Sequence, residues 1–116
     1  CLNTRRAPFD DPAVRRAVTL GVDRAGCVSA FLLGHGMAAH FPLSPASDLY
    51  PKELETAYSP DGYASALEAA GLHTGKTRSL TLLVNQENSF KVSTAQKIAA
   101  GLSQRGVSPG PAKRRF

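Results

Sequence analysis

The chain has 116 residues, 42% hydrophobic and 20% charged, with a net charge of +5. That size suits one domain or a part of one, and the composition excludes wholesale disorder. No apolar run approaches the roughly 20 residues of a membrane span, so no direct membrane span is expected. The start, Cys1-Leu2-Asn3-Thr4-Arg5-Arg6, has no basic region followed by an apolar stretch and no initiator Met, so the chain reads as cut from something longer, or processed.

Leu2–Arg5 reads as the end of a short strand, and Ala7-Pro8-Phe9 as an extended turn. Asp11-Pro12 is a strong helix start, with Asp as N-cap and Pro at the first helical position. Val14, Ala17, Val18 and Val22 follow at helical spacing. Asp11 and Arg15, four apart, are placed to pair on that helix's surface. Gly21 weakens the helix and Asp23 caps a second, whose apolar face is Val28, Phe31 and Leu32 with Cys27 beside them. Gly34 and Gly36 stop it.

From residue 35 to residue 60 no period holds, and Pro42, Pro45, Pro51 and Pro60 interrupt the stretch. It reads as a long loop with a helical turn at Lys52–Ala57, and loops of this length are usually functional or packed over a neighbour. Ser59-Pro60-Asp61 repeats the cap-then-proline start for a helix carrying Tyr63, Ala64, Leu67 and Ala70, closed by Gly71. Leu80–Val84 reads as a buried strand. A last helix over Phe90–Arg105 turns Val92, Ala95, Ile98, Ala99 and Leu102 inward, with Gly106 closing it and Val107 opening another strand. Strand, helix, strand implies a parallel crossover and therefore an α/β layer, helices packed on a small mixed sheet. The expected core is Val14, Val18, Val22, Val28, Phe31, Leu32, Leu67, Leu82, Val84, Ile98 and Leu102.

Catalytic patterns are missing. No Gly-x-Ser-x-Gly elbow occurs, and Gly34-His35-Gly36 lacks the third glycine and the preceding strand of a dinucleotide loop. His35 and His40 lie five apart in a loop, with His73 distant and no carboxylate nearby, a poor metal site. Asp10, Asp11 and Asp23 are explained as turn and cap residues, and Glu53, Glu55 and Glu68 as solvated helix positions. No catalytic residue, metal site or cofactor is expected, and the chain is not read as an enzyme. The basic residues are scattered; Lys113-Arg114-Arg115 is the one run, and no aromatic is interleaved with a basic stripe, so nucleic acid is not expected as a partner. Cys1 and Cys27 cannot define a disulfide framework. Cys1 also invites reading as the lipid-bearing residue of a lipoprotein, which the absence of a linker after it argues against.

The stretch Asn3-Thr4-Arg5-Arg6-Ala7-Pro8-Phe9-Asp10-Asp11-Pro12-Ala13-Val14-Arg15-Arg16-Ala17-Val18, then Gly21-Val22-Asp23-Arg24, resembles the extracellular solute-binding proteins of ABC transporters, peptide and nickel type (family 5). Gly34 and Gly36, Pro42 and Pro45, Tyr58-Ser59-Pro60-Asp61, Leu67-Glu68-Ala69-Ala70-Gly71 and Leu80–Val84 continue the resemblance in order, to about residue 107. Ala7 stands where the family usually has a first proline, and Ser59 where it often has Asp.

The resemblance implies a type II periplasmic-binding-protein-like fold. Residues 1–107 would be part of one lobe, the opening of the second large lobe, and residues 108–116 a non-matching basic tail. It further implies a parent that captures a peptide or similar small solute, hands it to an ABC transporter permease, and is held outside the cytoplasm as a membrane-anchored lipoprotein. The acidic residue holding a peptide's amine lies, by the resemblance, beyond this segment. Asn3, His35 and Gly36, within or before the Gly34–His40 loop, are the local positions expected near the ligand cleft. Two further readings are a ligand-sensing module of a transcriptional regulator and a nucleic-acid binder; a helix-turn-helix preceding the segment would favour the first of these, salt-resistant DNA affinity the second.

Overall fold

The computed structural model describes residues 1–72, 78–103 and 107–114. In chain order it holds α1 (Pro12–Leu20), α2 (Arg24–Leu32), a 3-10 turn (Lys52–Leu54), α3 (Pro60–Ala69), β1 (Arg78–Asn85), α4 (Ser89–Ser103) and β2 (Val107–Arg114).

Four helix starts follow one chemical device, that of α4 through Asn88 Oδ1, which accepts the N–H of Lys91 at 3.0 Å. Asp11 Oδ1 accepts the N–H of Ala13 at 2.8 Å, Asp23 Oδ1 that of Gly26 at 2.9 Å, and Ser59 Oγ that of Gly62 at 3.0 Å. Each satisfies a donor that the first helical turn leaves without a backbone partner. Ser59 also donates its own N–H to the carbonyl of Leu20 at 3.0 Å, so the start of α3 is anchored on the end of α1. Gly71, at φ +78, ends α3 in the left-handed conformation that glycine adopts without penalty.

The first residues differ from the expected strand end. Asn3 Oδ1 accepts the N–H of Arg5, and the Asn3 carbonyl that of Arg6, so Asn3–Arg6 closes a turn. The asparagine side chain supplies locally what a neighbouring strand would have supplied. Arg15 likewise does not pair with Asp11: its guanidinium donates to the carbonyls of Phe9, at 2.7 Å, and Asp10, at 3.1 Å. The Asp11 carboxylate is already engaged at the helix start, and the two turn carbonyls lie within reach of Arg15.

β1 and β2 pair in parallel, from Arg78 opposite Val107 to Asn85 opposite Arg114. The parallel pairing around α4 agrees with the expected crossover, and β1 extends beyond Leu80–Val84 at both ends. β2 continues through Pro109 and Pro111, where the sequence reading has a tail from residue 108. Proline lacks an N–H, which a strand with one paired side tolerates. Gly106, expected to close α4, lies outside the described residues, as do His73, Arg105 and Arg115.

The core is centred on α1, α3 and the end of α4: Val14, Ala17, Tyr63, Leu67 and Leu102 are buried together, with Phe9, Val18, Leu20, Leu80 and Ile98 packed around them. Of the expected core residues, Val14, Leu67 and Leu102 are buried; Val22, Val28, Phe31, Leu82 and Val84 are half-buried, and Leu32 is exposed. α2 packs mainly on α4, where Phe31 meets Phe90 edge-on, so its apolar face is only partly covered and Leu32 stays exposed. Small residues take the closest approaches instead: Ala17 is fully buried, and Ala95 and Ala99 let α4 lie close to its neighbours.

Candidate functional site

The three residues placed near a cleft by sequence each make local contacts of their own. Asn3 is exposed and its side chain is spent on the Arg5 turn. His35 is exposed just beyond α2, its N–H donated to the carbonyl of Leu32 at 2.8 Å. Leu33 adopts φ +50 and Gly34 φ +81, and this pair of left-handed residues turns the chain out of the helix. At Gly36 a β-carbon would come 2.9 Å from Leu32 Cδ1, so the backbone there lies against α2. Among the described residues no hydrogen bond or ion pair joins Asn3 to His35 or Gly36.

Two hollows exist. A cavity of about 170 Å³ is lined by Gly21, Asp23, Cys27, Tyr58, Lys97 and Gly101. Cys27 is buried there, and burial pushes its thiol up; the Lys97 ammonium pulls it down, the Asp23 carboxylate raises it and Arg24 lowers it. With burial dominant the sulfur stays protonated and is a poor nucleophile. Asp23 also caps α2 and faces the Lys97 ammonium at 4.0 Å, so its carboxylate is occupied structurally. An open groove of about 480 Å³ lies between β1 and α4, lined by Leu82, Val84, Phe90, Thr94, Ala95 and Ile98. It is apolar, with the buried Thr94 Oγ1 lacking a hydrogen-bond partner. The thiol and carboxylate that meet in the cavity are thus a protonated sulfur and a carboxylate engaged elsewhere, which is not an activated nucleophile.

A polar knot in the long loop was not visible in the sequence. Tyr50 is buried; its hydroxyl donates to Glu55 Oε1 at 2.6 Å and accepts the N–H of His40 at 2.9 Å. Burial first, and the Glu55 hydrogen bond second, push the Tyr50 phenol up. His40 Nε2 meets the carbonyl of Thr56 at 2.8 Å, and Phe41 packs edge-on against the Tyr50 ring at 5.7 Å. Glu55 is exposed, as expected, but it lies just beyond the helical turn, which ends at Leu54, and it staples the loop through Tyr50. No periodicity marks such a knot; the sole sequence signal is the presence of His, Phe and Tyr in a proline-broken stretch.

Among the described residues no three His, Cys, Asp or Glu side chains gather where they could hold a metal ion. No described helix is long and apolar enough to cross a membrane.

The profile of the family described as "Bacterial extracellular solute-binding proteins, family 5 Middle" matches residues 1–109. The chain is 31% identical to the oligopeptide-binding protein AppA of Bacillus subtilis, over 90% of this chain and 22% of that protein. It is 30% identical to the heme-binding protein A of Haemophilus influenzae, over 94% of this chain and 20% of that protein. Among solved structures, the nickel ABC transporter protein of Bacillus halodurans superposes with a TM-score of 0.86 at 24% identity, covering 99% of this chain and 26% of that one. AppA in complex with a nonapeptide gives 0.81 at 29% identity, covering 97% and 25%. The chain thus spans about a fifth to a quarter of the length of these proteins, and its fold is part of a lobe of the type II periplasmic-binding-protein-like architecture.

Proposed function

The chain belongs to the bacterial extracellular solute-binding proteins, family 5, and from that membership we propose that it is one piece of a protein that captures a peptide or a similar small solute for import by an ABC transporter. The observation that carries this reading is the family match across residues 1–109. In this reading residues 1–107 are lobe structure and residues 108–116 a basic extension. The ordered motif residues do structural work: Asp11, Asp23 and Ser59 cap helices, and Arg15 ties the N-terminal turn to α1. Such a piece sets the shape of a lobe, and a hinged binder needs lobes of fixed shape to close on a ligand.

Binding, not catalysis, is the role. Burial keeps the Cys27 thiol protonated, and the Asp23 carboxylate is engaged by the α2 cap and by Lys97, so the cavity beside α2 lacks an activated group. The transporter's permease is the implied partner and the extracytoplasmic side of an anchored parent the implied location. Asn3, His35 and Gly36 remain the positions proposed nearest the ligand, with the exposed His35–Gly36 turn the better placed, because Asn3 is committed to its own turn. The relatives named above are transport-associated binding proteins, and no feature of the fold favours the regulator reading.

The test is a chimera. Residues 1–109 replace the matching segment of the B. subtilis oligopeptide-binding protein, and cooperative unfolding establishes that the product folds. Titration with the nonapeptide should then give saturable binding. A folded chimera that binds no nonapeptide sinks the proposal.

A further inference from the structure

The loop knot has the geometry of a device worked by a proton. The Thr56 carbonyl can only accept a hydrogen bond, so His40 Nε2, at 2.8 Å, carries the hydrogen. In a neutral ring Nδ1 is then left as an acceptor. It is buried, has no hydrogen-bond partner, and lies 3.6 Å from Glu55 Oε1. That oxygen already accepts from Tyr50, so Nδ1 and the carboxylate face each other as two acceptors. One proton on Nδ1 turns this unfavourable contact into an ion pair within a partly buried cluster. Among the described residues, the charged groups that bear on Tyr50 are Glu55, from the turn after Leu54, and Arg24 of α2, and Glu55 also faces His40.

We propose that His40, Tyr50 and Glu55 form a proton-operated clasp that fixes residues 40–56 when His40 is doubly protonated and loosens them when Nδ1 loses its proton. The sign follows from the geometry. The closed form binds one more proton than the open form, so acidification favours closure of the clasp. The clasp begins four residues after Gly36 and closes one segment of the long loop, so it sets how rigidly the chain following the His35–Gly36 turn is held.

Nuclear magnetic resonance of the 116-residue chain tests this. Ring nitrogen shifts of His40 at high pH should report the proton on Nε2. Exchange of the His40 amide, which donates to Tyr50, should slow by on the order of two- to fivefold from about pH 8 to about pH 5.5 after correction for the intrinsic rate, the worth of a partly exposed ion pair. Glu55→Gln keeps an acceptor for Tyr50 and removes the charge, and should abolish that slowing. His40→Gln can still donate to Thr56 and takes up no proton; it should give the same flat response and decides the matter where Glu55→Gln does not fold. A neutral ring protonated on Nδ1, or pH-dependent exchange that survives in either variant, overturns the proposal.

Discussion

The Tyr63 hydroxyl donates to the backbone carbonyl of Leu102 at 3.2 Å, joining α3 to the last turn of α4 through the centre of the core. Tyr63 is 1% exposed, so this is a polar contact surrounded by apolar atoms, and burial pushes its phenol from 10.0 up to about 12. A raised folded-state value means that the neutral phenol stabilises the fold. That contribution is complete below pH 10 and is lost as pH rises toward 12, with a limit on the order of 2–3 kcal/mol. Tyr63→Phe should lower stability at neutral pH by about 0.5–1.5 kcal/mol. It should also flatten the loss of stability between pH 10 and 12. Urea unfolding at neutral and alkaline pH checks both; an alkaline decline of equal size in the variant would place its cause elsewhere.

Gly21 lies against the same contact. A β-carbon there would come 2.8 Å from Leu102 Cδ2 and 3.0 Å from Tyr63 Cγ, while the backbone at φ −83 suits any residue. Gly21→Ala therefore isolates overpacking and should cost about 1–3 kcal/mol. Gly71→Ala is the counterpart: open space surrounds the site, but φ is +78. Its cost should be about 1 kcal/mol and come from the backbone alone. Equal costs, with an undisturbed core in the spectra of both, would contradict this division.

Asp11→Ala removes the acceptor for the Ala13 N–H and should cost about 0.5–2 kcal/mol. Asp11→Asn keeps the acceptor and should recover most of it, as equilibrium unfolding would show. An alanine variant as stable as the parent would mean that the cap is replaced by water without loss.

Truncation of leucines should separate the core from the sheet. Leu67 is 1% exposed, and Leu67→Ala should cost about 2–5 kcal/mol. Leu82 is half-buried on the face of β1 toward α4, so Leu82→Ala should cost less than Leu67→Ala. Thermal unfolding of the two variants side by side reads the order, and the reverse order would relocate the centre of the core to the sheet.

Local chemistry was legible in the sequence. The Asp11-Pro12, Asp23 and Ser59-Pro60 starts, the Gly71 stop and the parallel strand pair all follow from capping rules and element order, which act over a few residues. Contacts across distance were not legible. Periodicity marks which face of a helix is apolar, but not whether another element covers it, and so it ranks Val28, Phe31 and Leu32 with Val14. Tyr63 outranks them because its hydroxyl finds the Leu102 carbonyl 39 residues away. The His40–Tyr50–Glu55 knot escaped for the same reason: its members are set by the path of an aperiodic loop. The positions proposed near the ligand rested on resemblance, and Asn3 also satisfies the plainer description of a turn former.

The last prediction concerns the chain in isolation. A pocket that holds a small ligand well encloses most of its surface, usually within about 300–1,000 Å³. The cavity beside Cys27 measures about 170 Å³, below that range, and the larger groove beside β1 is open along α4. Nothing described in this chain encloses a peptide, and the solved relatives named above are about four times its length. Calorimetry against a mixed pool of di- to pentapeptides should show no saturable heat. Self-association is the expected behaviour instead. Among the described residues the sheet has two strands, so each has one paired side, and Leu83, Leu49 and Leu33 expose 54%, 83% and 82% of their surface. Strand edges and apolar surface of this kind recruit further chains. Light scattering should therefore show mass rising with concentration. Micromolar peptide binding at a defined stoichiometry would place the ligand site within these residues and remove the need for a second lobe.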